Sequence, residues 1–187
     1  MDVKEAIDKR RAYRSLDPAP ITTELIEDLA KSAQLAPSCF NNQPWRFVFV
    51  YDKEMLEKMK ATLSKGNEWA YDASMMIAVF SKKDFDCIIA EREYYLFGCG
   101  MAVGFLMLRA TELGLVAHPI AGYSPKKVRE VLNIPEEMNV ITLIIVGKHS
   151  EVIKPVLSEK QARDELQRPA RFELKKFVYL NHYQSAD

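Results

Sequence analysis

The 187-residue sequence has no G-x-G-x-x-G turn, no P-loop, no H-E-x-x-H and no G-x-S-x-G. Those absences exclude a separate dinucleotide fold, a nucleoside-triphosphate loop, a zinc-protease helix and a serine nucleophile elbow as the seat of any chemistry. Net charge is absent too, with 26 Lys+Arg against 26 Asp+Glu. Nothing global therefore draws the chain to nucleic acid or anionic lipid, and neither partner is expected. Cysteine is scarce: Cys39, Cys87 and Cys99 are odd in number and widely spaced, with no C-x-x-C pair and no disulfide framework. His118, His149 and His182 lack the mutual spacing of a metal site, so no metal is expected. The longest apolar stretch, Leu96 to Leu108, is broken by glycines and falls short of the roughly 20 residues of a membrane span. The opening MDVKEAIDKRR lacks the apolar core of a signal peptide. A soluble cytoplasmic chain is the expectation. Its length and its 48% apolar content fit one globular domain, without repeats or low-complexity tracts.

Periodicity supplies the elements. Residues 3–13 read as a helix with Val3, Ala6, Ile7 and Arg10 on one face, stopped by Asp17-Pro18-Ala19-Pro20. Thr22 or Thr23 caps a second helix, whose buried stripe is Leu25, Ile26, Leu29, Ala30 and Ala33 and whose end is Pro37. Arg46–Tyr51, Ser74–Ser81, Leu115–His118 and Val140–Gly147 read as strands, and Lys53–Leu63 as a helix. From about Cys87 to Leu113 a long helix is expected, apolar all round in its second half. Gly98, Gly100 and Gly104 cost it about 1 kcal/mol each relative to Ala. Close approach of another helix would offset that cost, which predicts a dimer seam. Ser124-Pro125 starts a helix running to about Leu132, and Ser158–Gln167 is helix-like. Phe172, Leu174, Phe177, Val178 and Tyr179 are too apolar to stand in solvent, so the closing segment reads as an arm wrapping a neighbour. Strands interleaved with helices make an α+β fold, with residues 1–150 as core and 151–187 as an arm completing the same domain.

Four segments are rich in polar groups for their position. Lys9 to Arg14 is a basic cluster whose guanidinium forks suit a phosphate, or simply complement a helix C-terminus. Ala36 to Trp45 packs amides and a hydroxyl between two prolines, a set that can hydrogen-bond the edge of a planar heterocycle. Pro119-Ile120-Ala121-Gly122 leaves backbone N–H groups open to a ligand, or is a plain turn. Arg168 to Arg171 is a second basic point. Cys39 could be a nucleophile or redox thiol, but no His or second Cys stands at a suggestive spacing. Cys87 and Cys99 are expected in the core.

In this order the segments resemble the FMN-dependent nitroreductase family over most of the chain. The family's helix ending in Arg-Arg-Ser-x-Arg is similar to Arg10-Arg11-Ala12-Tyr13-Arg14, and its A-P-S-x-x-N-x-Q-P-W loop to Ala36–Trp45. Its P-x-x-G turn is similar to Pro119–Gly122, the helix after that turn to Val128–Leu132, and its closing pattern to Arg171, Leu174 and Val178. The Asn-x-Gln-Pro-Trp loop is the most specific part.

The resemblance implies a central mixed or antiparallel sheet flanked by helices, in a homodimer whose C-terminal arms wrap the partner. It implies that Arg10, Arg11 and Arg171 bind the FMN phosphate or the flavin's polar edge, with Arg14 nearby and Ala12 where a Ser usually stands. Arg10 is the candidate for stabilising the reduced, anionic flavin near N1–C2=O. Pro37, Ser38, Asn41 and Gln43 would contact the ribityl chain and ring, partly from the other subunit. Ala121 and Gly122 would aim amides at N5 and O4, with Pro119 and Ile120 lining one flavin face, and Asn67 falls near a further contact at a looser spacing. The implied activity is hydride transfer from NAD(P)H through flavin N5 to a nitroaromatic, quinone or enone by ping-pong turnover. Solvent or ribityl hydroxyls can deliver the proton, so no catalytic side chain is named. Dehalogenation, ring fragmentation, dehydrogenation, or flavin binding with little turnover are the alternatives. Three departures stand out: Ala12 removes a phosphate-site hydroxyl, Ala121 replaces an acid of some relatives, and Lys82–Glu91 leaves little room for a substrate-covering insertion.

Overall fold

β-branched and aromatic runs build one antiparallel sheet in this computed structural model, which describes residues 1–184. Its longest strand, β7 (Asn139–His149), lies between β3 (Met75–Ser81) and β6 (Leu115–Ile120). β3 pairs in turn with β2 (Arg46–Val50). The two-residue β1 (Leu16–Asp17) joins the end of β7 at Lys148 and His149.

Side chains alternate across β3 and β7, and both faces are covered. Met76, Ala78, Leu143 and Ile145 point to one core with Leu16, Met59, Trp69 and Val128. Met75, Ile77, Val79, Ile144 and Val146 point to the other, with Leu29, Ala33, Cys99, Ala102 and Leu106. Burial on two sides explains why these strands read as continuous apolar runs. α3 (Lys53–Lys60) and α5 (Pro125–Leu132) close the first core; α2 (Thr23–Gln34) and α4 (Tyr94–Glu112) close the second. Thr22 is the α2 cap, its side chain accepting from Leu25 N. Leu29 and Ala33 are the fully buried part of the expected stripe.

The first helix is shorter than its periodicity suggests. α1 (Val3–Lys9) stops before the arginines, and only Ala6 is buried while Val3 and Ile7 face outward. α4 begins at Tyr94 rather than at Cys87. Ahead of it β4 (Ile88–Ile89) and β5 (Arg92–Glu93) form a hairpin, turned by Ala90 and Glu91 at φ 47° and 65°. That left-handed pair cannot continue a helix. At 19 residues α4 also meets the length and composition of a membrane span, which corrects the shorter apolar stretch read from sequence. Here it is a core helix, with Tyr95, Gly98, Cys99, Ala102, Leu106 and Ala110 buried. Gly98 is needed within the chain itself, since a Cβ there would lie 3.2 Å from Pro44 Cγ. Gly100 and Gly104 meet no such neighbour, and Phe97 and Phe105 beside them are exposed. Past α6 (Glu159–Leu166), residues 167–184 hold one 3-10 turn, and Phe172, Leu174, Phe177 and Leu180 lie exposed.

His118 on β6 joins sheet to periphery. It is 7% exposed, stacks on Trp69 with ring centroids 4.7 Å apart, and its Nδ1 donates to Tyr13 O at 3.1 Å. Burial above all, with Arg14 and Arg10 adding to it, pushes its pKa from 6.5 down to about 4, against the opposing pull of the Tyr13 carbonyl and Glu165. Between those two values the unfolded chain binds a proton that the folded chain refuses. Stability therefore falls as pH falls across that window, by up to about 1.4 kcal/mol per pH unit. Urea unfolding midpoints measured through the window should show this slope in wild type, and His118→Gln should lessen it. Equal slopes in both proteins would contradict the assignment.

Candidate functional site

The chain leaves α1 at Lys9 and runs without helix through Arg10–Ser15. A buried carboxylate from the far end of the sequence holds it there. Glu165, 7% exposed on α6, accepts from Arg14 N at 2.8 Å and Ser15 N at 3.1 Å. The α6 start is fixed by a capping box between Ser158 and Gln161, which orients that helix toward the arginine segment. Next to Glu165, Arg14 Nη1 lies 3.9 Å from Asp164 Oδ2, and the Arg11 guanidinium donates to Asp164 O. Arg11 also sits 4.5 Å above the Tyr13 ring. Arg168 donates to Arg10 O at 3.0 Å and to Asp8 O.

The result is a cavity of about 170 Å³ lined by Arg10, Arg11, Ala12, Arg14, Asp164, Arg168, Pro169 and Arg171. Five guanidinium groups face one carboxylate there. Burial first, then the charges of Arg168 and Arg171, pull the Arg10 pKa below its usual value. Like charges crowded in this way favour a bound anion. The volume suits a phosphate-sized group and is below the roughly 300 Å³ at which drug-sized ligand pockets begin. A three-ring heterocycle attached to that phosphate would have to lie beyond it.

The second expected segment lies elsewhere. Pro37, Ser38, Asn41 and Gln43 occupy the α2–β2 connection and do not line the arginine cavity. Ser38 Oγ accepts from Gln43 N at 2.9 Å, Gln43 Nε2 donates to Asn41 O, and Arg46 Nη1 donates to Gln43 O at 3.0 Å. Phe40, Asn41 and Gln43 all have positive φ, and Phe40 is 87% exposed. Pro44 and Trp45 are buried, so the end of the most specific motif is packing.

In the third segment β6 runs on through Pro119 to Ile120. Ile120 is buried in the core, Pro119 and Gly122 are half-buried and Ala121 is exposed. Gly122 O accepts from Ser64 N at 2.9 Å and from Asn67 Nδ2 at 3.1 Å. A side chain at Gly122 would collide with the Asn67 amide, so the two residues specify each other. Asn67 thus lands on the turn despite its loose sequence spacing.

The cysteines differ from expectation. Cys39 and Cys87 form a disulfide across 48 residues, with Cα atoms 6.1 Å apart, so Cys87 is not a core residue and Cys39 is not a free thiol. Cys99 is buried, and burial raises its pKa to about 11. The pairing was hidden because reading Cys87 as the start of a helix placed it away from the Ala36–Trp45 loop.

Comparison with known proteins adds a family to this geometry. The family model described as the nitroreductase family matches residues 7–148. A protein of Archaeoglobus fulgidus with the provisional name NADH dehydrogenase/NAD(P)H nitroreductase is 33% identical over 147 residues, 74% of this chain and 80% of its own. Iodotyrosine deiodinase of Haliscomenobacter hydrossis is 28% identical over 174 residues, 78% of each chain. Among solved structures, an oxidoreductase containing FMN superposes with a TM-score of 0.85 at 27% identity, covering 100% of this chain and 95% of its own. The chain belongs to the nitroreductase family.

Proposed function

We propose that the protein is a cytoplasmic, homodimeric FMN oxidoreductase that moves hydride from NAD(P)H to a nitroaromatic, quinone or enone. The crowded arginine cavity carries this reading. A dianionic phosphate monoester meets its charge, its size and its forked donors. Arg10, Arg11 and Arg171 would hold that phosphate, with Arg14 beside them. Ala12 offers no hydroxyl, which leaves the guanidinium groups to supply the side-chain contacts. When bound, FMN supplies the hydride chemistry, with donor and acceptor using one site in turn.

The chain's own residues bind, orient and cover. Ala121 and Gly122 would present backbone N–H groups to the ring, with Pro119 against one face. Ile120 supports the turn from the core instead of lining that face. Pro37, Ser38, Asn41 and Gln43 would reach the cofactor of a partner copy. An apolar groove of about 440 Å³ between α1, α2 and α4, lined by Val3, Ala6, Leu35, Phe105 and Leu108 among others, supports such a partner. So do the uncovered apolar residues of the closing segment. Reductive dehalogenation is the second reading, favoured by the deiodinase relative, and parallel trials with halogenated phenols and nitroaromatics separate the two.

Fluorescence titration with FMN and with riboflavin tests the phosphate site. Losing a charge-assisted contact should weaken FMN binding at least about tenfold in Arg171→Ala while riboflavin is little affected. Equal losses for both flavins would sink the assignment. Light scattering should give twice the 21.4 kDa chain mass for wild type and a shift toward 21.4 kDa for Phe105→Asp. A wild-type monomer would break the two-chain site.

A further inference from the structure

We propose that the Cys39–Cys87 bond is a thiol-exchange site, opened and closed in the folded protein by a low-molecular-weight thiol and its disulfide. Its state then sets how firmly the Ser38–Gln43 loop is held.

The loop's attachments show why. Asn41 N donates to Ser38 O, Asn42 N to Cys39 O, Gln43 N to Ser38 Oγ and Gln43 Nε2 to Asn41 O, all within the loop itself. Beyond the sulfurs, the tip reaches the segment before α4 through one side chain. Asn42 Nδ2 donates to Asp86 Oδ1 at 3.2 Å and lies 3.6 Å from Cys87 Sγ. Yet the tip holds Phe40 at φ 45°, a left-handed conformation costing about 1 kcal/mol or more that an exposed ring does little to offset. The covalent tether therefore adds to these local bonds, and to the Arg46 Nη1 that donates to Gln43 O, in holding this conformation.

The surroundings suit cycling between bonded and reduced forms. In the single chain both cysteines are half-buried beside exposed Phe40 and Ile88, so a small thiolate can approach whenever the loop is not seated against a partner copy. Asp86 is 8% exposed, and its Oδ2 is buried without a hydrogen-bond partner while Oδ1 serves Asn42 and Cys87 N. A carboxylate oxygen of Asp86 lies within 4.8 Å of both sulfurs, ready to accept an S–H. Cys99 is buried, which confines exchange to the pair.

The chemistry balances as follows. A thiolate RS⁻ attacks Cys39 Sγ, the S–S bond breaks, and its electron pair leaves on Cys87 Sγ; that sulfur, beside the Asn42 amide, then takes a proton from water. A second RS⁻ attacks the R-derived sulfur of the mixed disulfide, giving RSSR and a Cys39 thiolate that is protonated in turn. Two electrons and two protons enter the protein, and two thiols are oxidised to one disulfide. The tether stands on this geometry alone; that a loosened loop would also hold a partner copy's FMN less firmly rests on the function proposed above.

The test places the native protein in graded mixtures of reduced and oxidised glutathione. Alkylation counted by mass and chymotryptic cleavage after Phe40 are the readouts. Two thiols should appear and disappear reversibly without unfolding, and cleavage should run at least about fivefold faster in the reduced form. Cys87→Ser should cleave at the fast rate in every mixture. A bond that resists glutathione until the protein unfolds would overturn the proposal, and so would a cleavage rate indifferent to reduction. FMN titration on the same samples separates the two readings: redox-dependent cleavage with no flavin binding in either state keeps the tether and removes the flavin assignment.

Discussion

Repulsion among the guanidinium groups of Arg10, Arg11, Arg14, Arg168 and Arg171 is the constraint around which the two ends of the chain are arranged. Such a cluster persists only where something holds it and where an anion is favoured to enter. Glu165 does the holding, through the backbone N–H groups of Arg14 and Ser15. Its carboxylate is thereby occupied with backbone donors, and Asp164 stands a full 3.9 Å from Arg14. The cavity keeps a positive excess. The closing fifth of the chain, which after His149 adds no strand to the sheet among the described residues, is thus tied directly to the site.

The sheet supplies the frame. Because β3 and β7 are buried on both faces, their registers are fixed by two cores at once, and the segments leaving them inherit that rigidity. Arg10–Ser15 leads into β1, the Pro119–Gly122 turn leaves β6, and the Ser38–Gln43 loop enters β2. The arginine cavity and the amide-rich loop do not meet in one chain. An apolar face on α1 and α4 is left uncovered.

Much of this was legible in the residues. Thr22 as a cap, the apolar runs of β2, β3 and β7, and Ser124-Pro125 at the head of α5 are local signals, and the structure follows them. The resemblance supplied the grouping of Arg10, Arg11, Ala12, Arg14 and Arg171, which now share a cavity. What escaped depends on tertiary contact. Nothing near Glu165 marks it as the acceptor for amides 150 residues away. Asn67 gains meaning only against Gly122, and Cys87 only against Cys39, once the hairpin before α4 turns it toward the loop. The four-residue loss at the end of α1 and the inward side of Ile120 are likewise set by packing that no single-segment pattern records.

The most direct measurement is the visible absorption spectrum of the purified protein, before and after anaerobic addition of NADH or NADPH. Flavin bands that bleach with a pyridine nucleotide are the expected result. A protein that stays colourless after FMN is added would contradict the reading of the arginine cavity, and bands that persist with both nucleotides would contradict the proposed electron donor.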